Sequence, residues 1–229
     1  MKIATELLTH TIEVRPSGIT SVVIEEPKLF RNLVGEFVDA AEHGDETIFF
    51  SEGDARVPSE KAVEVVQVFV PFTLNSKTLT SALTKRIERL AIAPDRYLET
   101  VRAVAEMSGY VRRLAMEIPH AVECEGLTIA GVLKASALRF AEEEGNMSEQ
   151  LLGYFRLVRE FVGERVYVLV NARTFLSDEE LKGLLSVCQL EQMKILLLDG
   201  VAKDLLPDED RLLIDKDLCE LTQRDDNLV

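Results

Sequence analysis

Three glutamates, Glu117, Glu123 and Glu125, fall in one short stretch, 116–126, that is interrupted by Pro119 and ends in Gly126. Carboxylates and backbone carbonyls of such an irregular segment can face one ion. Oxygen donors without Cys or paired His suit calcium or magnesium rather than zinc. Their spacing departs from the twelve-residue loop of an EF-hand, so an exposed acidic turn accounts for the same residues. A second group is cationic. At 100° per residue, Leu79, Leu83, Ile87 and Leu90 cluster within about 80° of arc, and Lys77, Lys85, Arg86 and Arg89 spread over the other side. Lys134 and Arg139 are placed similarly, off the apolar stripe of Ile129, Val132, Leu133 and Phe140. Cations of this kind contact phosphates when several helices bring them together, and on one helix they read equally well as a solvated polar face.

Other chemistries lack their residues. None of the 12 glycines sits in G-x-x-x-x-G-K-[ST] or G-x-G-x-x-G, and no G-x-S-x-G elbow exists. His10, His43 and His120 have no Ser, Cys or Asp partner at a motif spacing, and nothing nominates a catalytic residue. Cys124, Cys188 and Cys219 are odd in number and widely spaced, which argues against a disulfide framework or a zinc site and leaves semi-buried thiols. The runs Glu142–Glu144 and Asp208–Asp210 are assigned to solvent. Asp199 ends an apolar strand, where an NTPase would place a metal ligand; a strand-end turn with Gly200 is the simpler expectation.

The elements that must position these residues follow from periodicity. Val166–Val170 and Lys194–Asp199 read as buried parallel strands, and Ser177-x-x-Glu180 is a capping box opening the helix between them. Strand character is also expected over 6–14, 20–25, 47–51 and 62–70. A helix from Pro27 to about Glu42 carries Phe30, Leu33, Val34, Phe37, Val38 and Ala41 on one face, with Gly44 as its left-handed cap. From Asn75 to about Gly145 the pattern is helical only, with helices expected over 76–91, 95–116 and 128–144, and Ser148 to Gly163 leading back. The expectation is an α/β head of residues 1–72 and 148–229, with the frame of a nucleotide-binding fold but no phosphate loop, and an inserted α-helical leg of residues 73–147. The polar tail after Asp215 is expected to fray.

The formal charge of −14 argues, by itself, against general attraction to nucleic acid, unless cations line one surface or divalent ions neutralise part of the acidic excess. The absence of Trp and the few aromatics weigh against a base-stacking platform for single strands. No apolar run approaches the roughly 18 residues of a membrane span, and Met1–Glu6 shows no signal-peptide succession; a cytoplasmic protein is expected.

Three segments, Ile24–Phe30, Phe72–Lys77 with Leu83–Lys85, and Val170–Leu181, resemble in order and spacing the small CRISPR-associated spacer-acquisition protein of type II-A systems. The resemblance implies a RecA- and phosphate-loop-like head without a nucleotide site. It further implies a non-catalytic homotetrameric ring that binds double-stranded DNA ends in its central hole, is braced by calcium, and acts with the integrase pair and the RNA-guided effector nuclease. On that reading Lys77, Lys85, Arg86, Arg89 and Lys134 face the channel and Glu117, Glu123 and Glu125 hold calcium. Ala121 and Gly126 stand where the family carries carboxylates. A RecA-like ATPase with a diverged phosphate loop and a protein-interaction scaffold are the competing readings.

Overall fold

The structure is a computed structural model and describes residues 1–142 and 145–224. The chain runs β1 (Lys2–Thr5), β2 (Ile12–Glu13), β3 (Ile19–Ile24), α1 (Pro27–His43), β4 (Ile48–Glu52), β5 (Ala55–Val57), α2 (Ser59–Ala62) and β6 (Val63–Val66). Then follow α3 (Lys77–Ala91), α4 (Tyr97–Ala115), α5 (Ile129–Ala135), α6 (Met147–Phe161), β7 (Val166–Val170), α7 (Ala172–Phe175), α8 (Asp178–Leu190), β8 (Lys194–Asp199), β9 (Glu209–Ile214) and β10 (Glu220–Arg224). It divides into two compact units, 1–72 with 143–229, and 73–142.

The first unit is α/β. Its six-stranded sheet has the order β10-β9-β3-β8-β7-β6, parallel throughout except for β10, which returns antiparallel to β9. A second, antiparallel sheet has the order β2-β1-β4-β5. The all-buried strands Val166–Val170 and Ile19–Ile24 have this character because both faces of the parallel sheet are covered. On one face, Val22, Ile24, Val168, Val170, Leu196 and Leu198 pack with Leu33, Phe37 and Ala40 of α1 and with Ile3, Ile48 and Phe50 of the small sheet. The alternate residues include Tyr167, whose ring centroid lies 4.4 Å from that of Phe155 on α6 and whose hydroxyl donates to the Phe155 carbonyl at 2.8 Å. Each such fully buried side chain contributes about 1.5–3 kcal/mol.

The second unit contains α3, α4 and α5. Ser76 caps α3 by accepting from Leu79 N, and Thr128 caps α5 by accepting from Gly131 N. Leu79 and Leu133 are its buried helical residues, and α4 has none over 19 residues.

Three expectations are corrected. Of the strand expected over 6–14 only β2, Ile12–Glu13, is present; residues 6–11 form the turn that joins it to β1, which precedes the expected span. The helix expected over 128–144 stops at Ala135, because Ala137 adopts φ 48° and Asn75 clamps the backbone of Phe140, donating to its carbonyl at 3.0 Å and accepting from its N–H at 2.8 Å. Of the expected semi-buried thiols, Cys188 is buried while Cys124 and Cys219 are exposed. Glu143, Glu144 and the tail beyond Arg224 lie outside the described residues.

Candidate nucleic-acid interface

Ligands of open α/β sheets bind at the carboxyl ends of the strands, where the chain order reverses, and here that place lies between β3 and β8. Only Glu25 and Glu26 link β3 to α1. A phosphate bound there would lie against the first N–H groups of α1. Glu26 takes that role itself: its carboxylate accepts from Lys28 N at 3.0 Å and from Leu29 N at 2.6 Å. These backbone bonds hold its carboxyl below the usual carboxylate range. An incoming phosphate would have to displace a charged group of its own sign.

Asp199, at the end of β8, is buried and faces Arg173, whose Nε lies 3.2 Å from Asp199 Oδ2. Arg173 Nη2 lies 2.8 Å from Glu209 Oε1, and Arg211 Nη2 approaches the same oxygen at 2.9 Å. Both contacts of Arg173 are ion pairs whose angles depart from those of hydrogen bonds, since neither atom finds a hydrogen-bond acceptor. Burial pushes the Asp199 carboxyl up to about 6, against the pull of Arg173. Burial also pushes Glu209 up, but the charge of Arg173 and the hydrogen bonds from Ser21 and Leu206 N outweigh it and leave Glu209 lowered. Asp199 therefore ends its strand just before the bend at Gly200, as expected, and is not an open metal ligand; a guanidinium stands where a cation would be bound.

In the second unit, Lys77, Lys85, Arg86, Arg89 and Lys134 are all exposed. On α3, Lys77, Lys85 and Arg89 share one side over about 18 Å of helix. Lys77, Lys85, Arg89 and Lys134 have no carboxylate at ion-pair distance among the described residues, whereas Arg86 is engaged by a neighbouring group. Arg96 pairs with Asp95 at 3.7 Å, and ion pairs are commoner in the first unit. There Arg15, Arg56, Arg156, Arg159, Arg165 and Arg224 each meet an acidic partner. Charge is divided in the same way: residues 73–142 carry ten Lys and Arg against eight Asp and Glu, and the remainder carries sixteen against thirty-two. The net charge of the chain conceals this partition.

Glu117, Glu123 and Glu125 are exposed in the irregular segment between α4 and α5. Among the described residues no three His, Cys, Asp or Glu side chains are gathered as a metal site requires. One chain does not bring these carboxylates together around an ion.

Residues 41–218 match the family model for CRISPR-associated protein (Cas_Csn2). The chain belongs to this family. A structure similar to this Cas_Csn2 protein is the crystal structure of Stu0660 of Streptococcus thermophilus, with a TM-score of 0.56 and 12% identity over 98% of this chain and 76% of that one. The likeness is one of fold, and its coverage of the chain extends beyond the residues of the family match. The Cas_Csn2 assignment places the chain among type II-A CRISPR-associated proteins. Among the described residues no helix is long and apolar enough to cross a membrane.

Proposed function

We propose that this Cas_Csn2 protein is a non-catalytic, cytoplasmic component of type II-A spacer acquisition that binds double-stranded DNA ends, sequence-independently, as a homotetrameric ring. Its partners on this reading are the CRISPR integrase complex and the RNA-guided effector nuclease. The observation that carries it is the partition of charge: Lys77, Lys85, Arg89 and Lys134 of the second unit have no carboxylate at ion-pair distance among the described residues, and that unit holds ten basic against eight acidic side chains while the remainder holds sixteen against thirty-two. Lys77, Lys85, Arg86, Arg89 and Lys134 then contact backbone phosphates, which position a duplex without reading its sequence. Four copies around one duplex add contacts that are individually small.

The ATPase reading is disfavoured by the Glu26 carboxylate at the start of α1 and by the Arg173 guanidinium against Asp199. Calcium held by Glu117, Glu123 and Glu125 would require donors from a second copy, because one chain does not gather them; no step of DNA binding is routed through it.

The test compares linear with covalently closed circular duplex of equal length, at several salt concentrations, with calcium and with a chelator. Preference for linear DNA and a steep loss of affinity with salt are expected, together with a weaker affinity and a shallower slope for Lys77→Glu with Lys85→Glu. Equal binding to both forms would overturn end recognition, and saturable ATP binding lost on Asp199→Asn would restore the ATPase reading.

A further inference from the structure

We propose that α4 carries a second duplex-contacting face, formed by Arg102 and Arg113, with Tyr110 positioning Arg113; the proposal rests on the DNA-binding reading above. At 100° per residue, Arg102, Glu106, Gly109 and Arg113 follow one another along a single stripe of α4. Arg102 and Arg113 are exposed and have no carboxylate at ion-pair distance among the described residues, although Glu106 lies four residues beyond Arg102. An i, i+4 pair that does not close leaves both groups turned to solvent.

Arg113 is also held in place. Its guanidinium carbon lies 5.9 Å from the centroid of the Tyr110 ring, and a Cβ on Gly109 would stand 3.6 Å from Arg113 Nη1, so the side chain runs back over Gly109 toward the ring. Long helical side chains turn toward the helix start in this way. The missing side chain at Gly109 keeps the path open, and the ring holds the cation electrostatically without neutralising it. A planar guanidinium with N–H groups turned to solvent, biased toward one orientation by the ring, suits a phosphate oxygen pair.

The spacing fits one groove. Eleven residues separate Arg102 from Arg113, or ~16 Å along the axis, against a major groove about 12 Å wide. The two side chains address phosphates on opposite rims of one groove, and Glu106 sits between them over the groove itself. A carboxylate there opposes the approach of DNA. Backbone contacts with a repulsive group between them give affinity that salt and one charge can tune.

The experiment measures the affinity of the full-length protein for a linear duplex across a salt series, beside the α3 variant Lys77→Glu with Lys85→Glu. Each phosphate contact contributes about 0.9 to the logarithmic salt slope, so Arg102→Gln with Arg113→Gln should lower the slope by about 2 per chain engaged. Glu106→Gln should raise affinity several-fold, a gain that misfolding cannot produce. Tyr110→Leu should weaken binding a few-fold and Tyr110→Phe should not, which separates positioning from lost hydroxyl chemistry. If the α3 variant loses slope while the α4 variants and Glu106→Gln match the parent, the α4 proposal falls and the DNA reading stands. If the parent itself shows no salt-dependent binding, both fall.

Discussion

Arg173 is shared between two buried carboxylates, and the arrangement leaves Asp199 as the weaker partner. Glu209 accepts additional bonds from Ser21 and Leu206 N, whereas Asp199 Oδ2 has no hydrogen-bond donor. That difference gives stability a pH dependence. The Asp199 carboxyl moves from 3.8 to about 6 in the folded chain. A carboxyl raised on folding binds its proton more readily in the native state, so its contribution is unfavourable at neutral pH and is relieved as pH falls through 6. From pH 7 to pH 5 the relief is about 1 kcal/mol. Chemical denaturation at the two values should show this increment in the parent and not in Asp199→Asn, where Arg173 keeps Glu209; parallel behaviour of the two proteins would remove Asp199 as its source. None of this was legible at the sequence level. Asp199 ends its strand as expected, but its partner lies 26 positions earlier in the chain, at no spacing that a motif records.

Helix starts were the most legible elements, because their determinants are local. Pro27 opens α1 and Gly44 closes it at φ 69° in the left-handed region. The capping box expected at Ser177 is present, with Ser177 Oγ accepting from Glu180 N at 3.3 Å and Ser177 N donating to Glu180 Oε2 at 2.9 Å. Replacing Ser177 by Ala should cost about 1 kcal/mol of unfolding free energy in urea, and the loss should be the same with or without DNA, since α8 belongs to the first unit. An unchanged midpoint would mean that packing of Leu181, Leu184 and Leu185 alone fixes this helix. The failures were non-local. The apolar stripe after Thr128 is periodic enough for a long helix, yet Asn75 claims both backbone groups of Phe140 from 65 residues away. Over 6–14 only Ile12–Val14 alternate as a strand should; the rest is the turn that lets β2 return to β1, which pairs with both β2 and β4, and that pairing is a property of the sheet.

At the scale of the whole molecule, α4 raises a problem that one chain does not solve. Its 19 residues include no buried side chain, and Leu98 is 76% exposed, Met107 52% and Leu114 45%. Periodicity gives a helix over 95–116, and it cannot say whether the apolar residues on it face the core of the chain or that of an assembly. A soluble helix with this much apolar surface uncovered marks an interaction site. On the proposed homotetramer, copies of the chain cover it. Met107 and Leu114 lie on a different side of the helix from Arg102, so association and DNA contact do not compete for the same face. Met107→Asp with Leu114→Asp should therefore reduce the mass measured by sedimentation at fixed concentration, leaving the cations of α3 and α4 in place. Because linked sites raise avidity without new contacts, the dissociated variant should also lose far more DNA affinity than either cation pair accounts for, by one to two orders of magnitude or more. A variant that stays assembled would exclude this side of α4 from the interface. One that dissociates but binds DNA like the parent would show that a single chain's cations suffice and that the ring is not what holds the duplex.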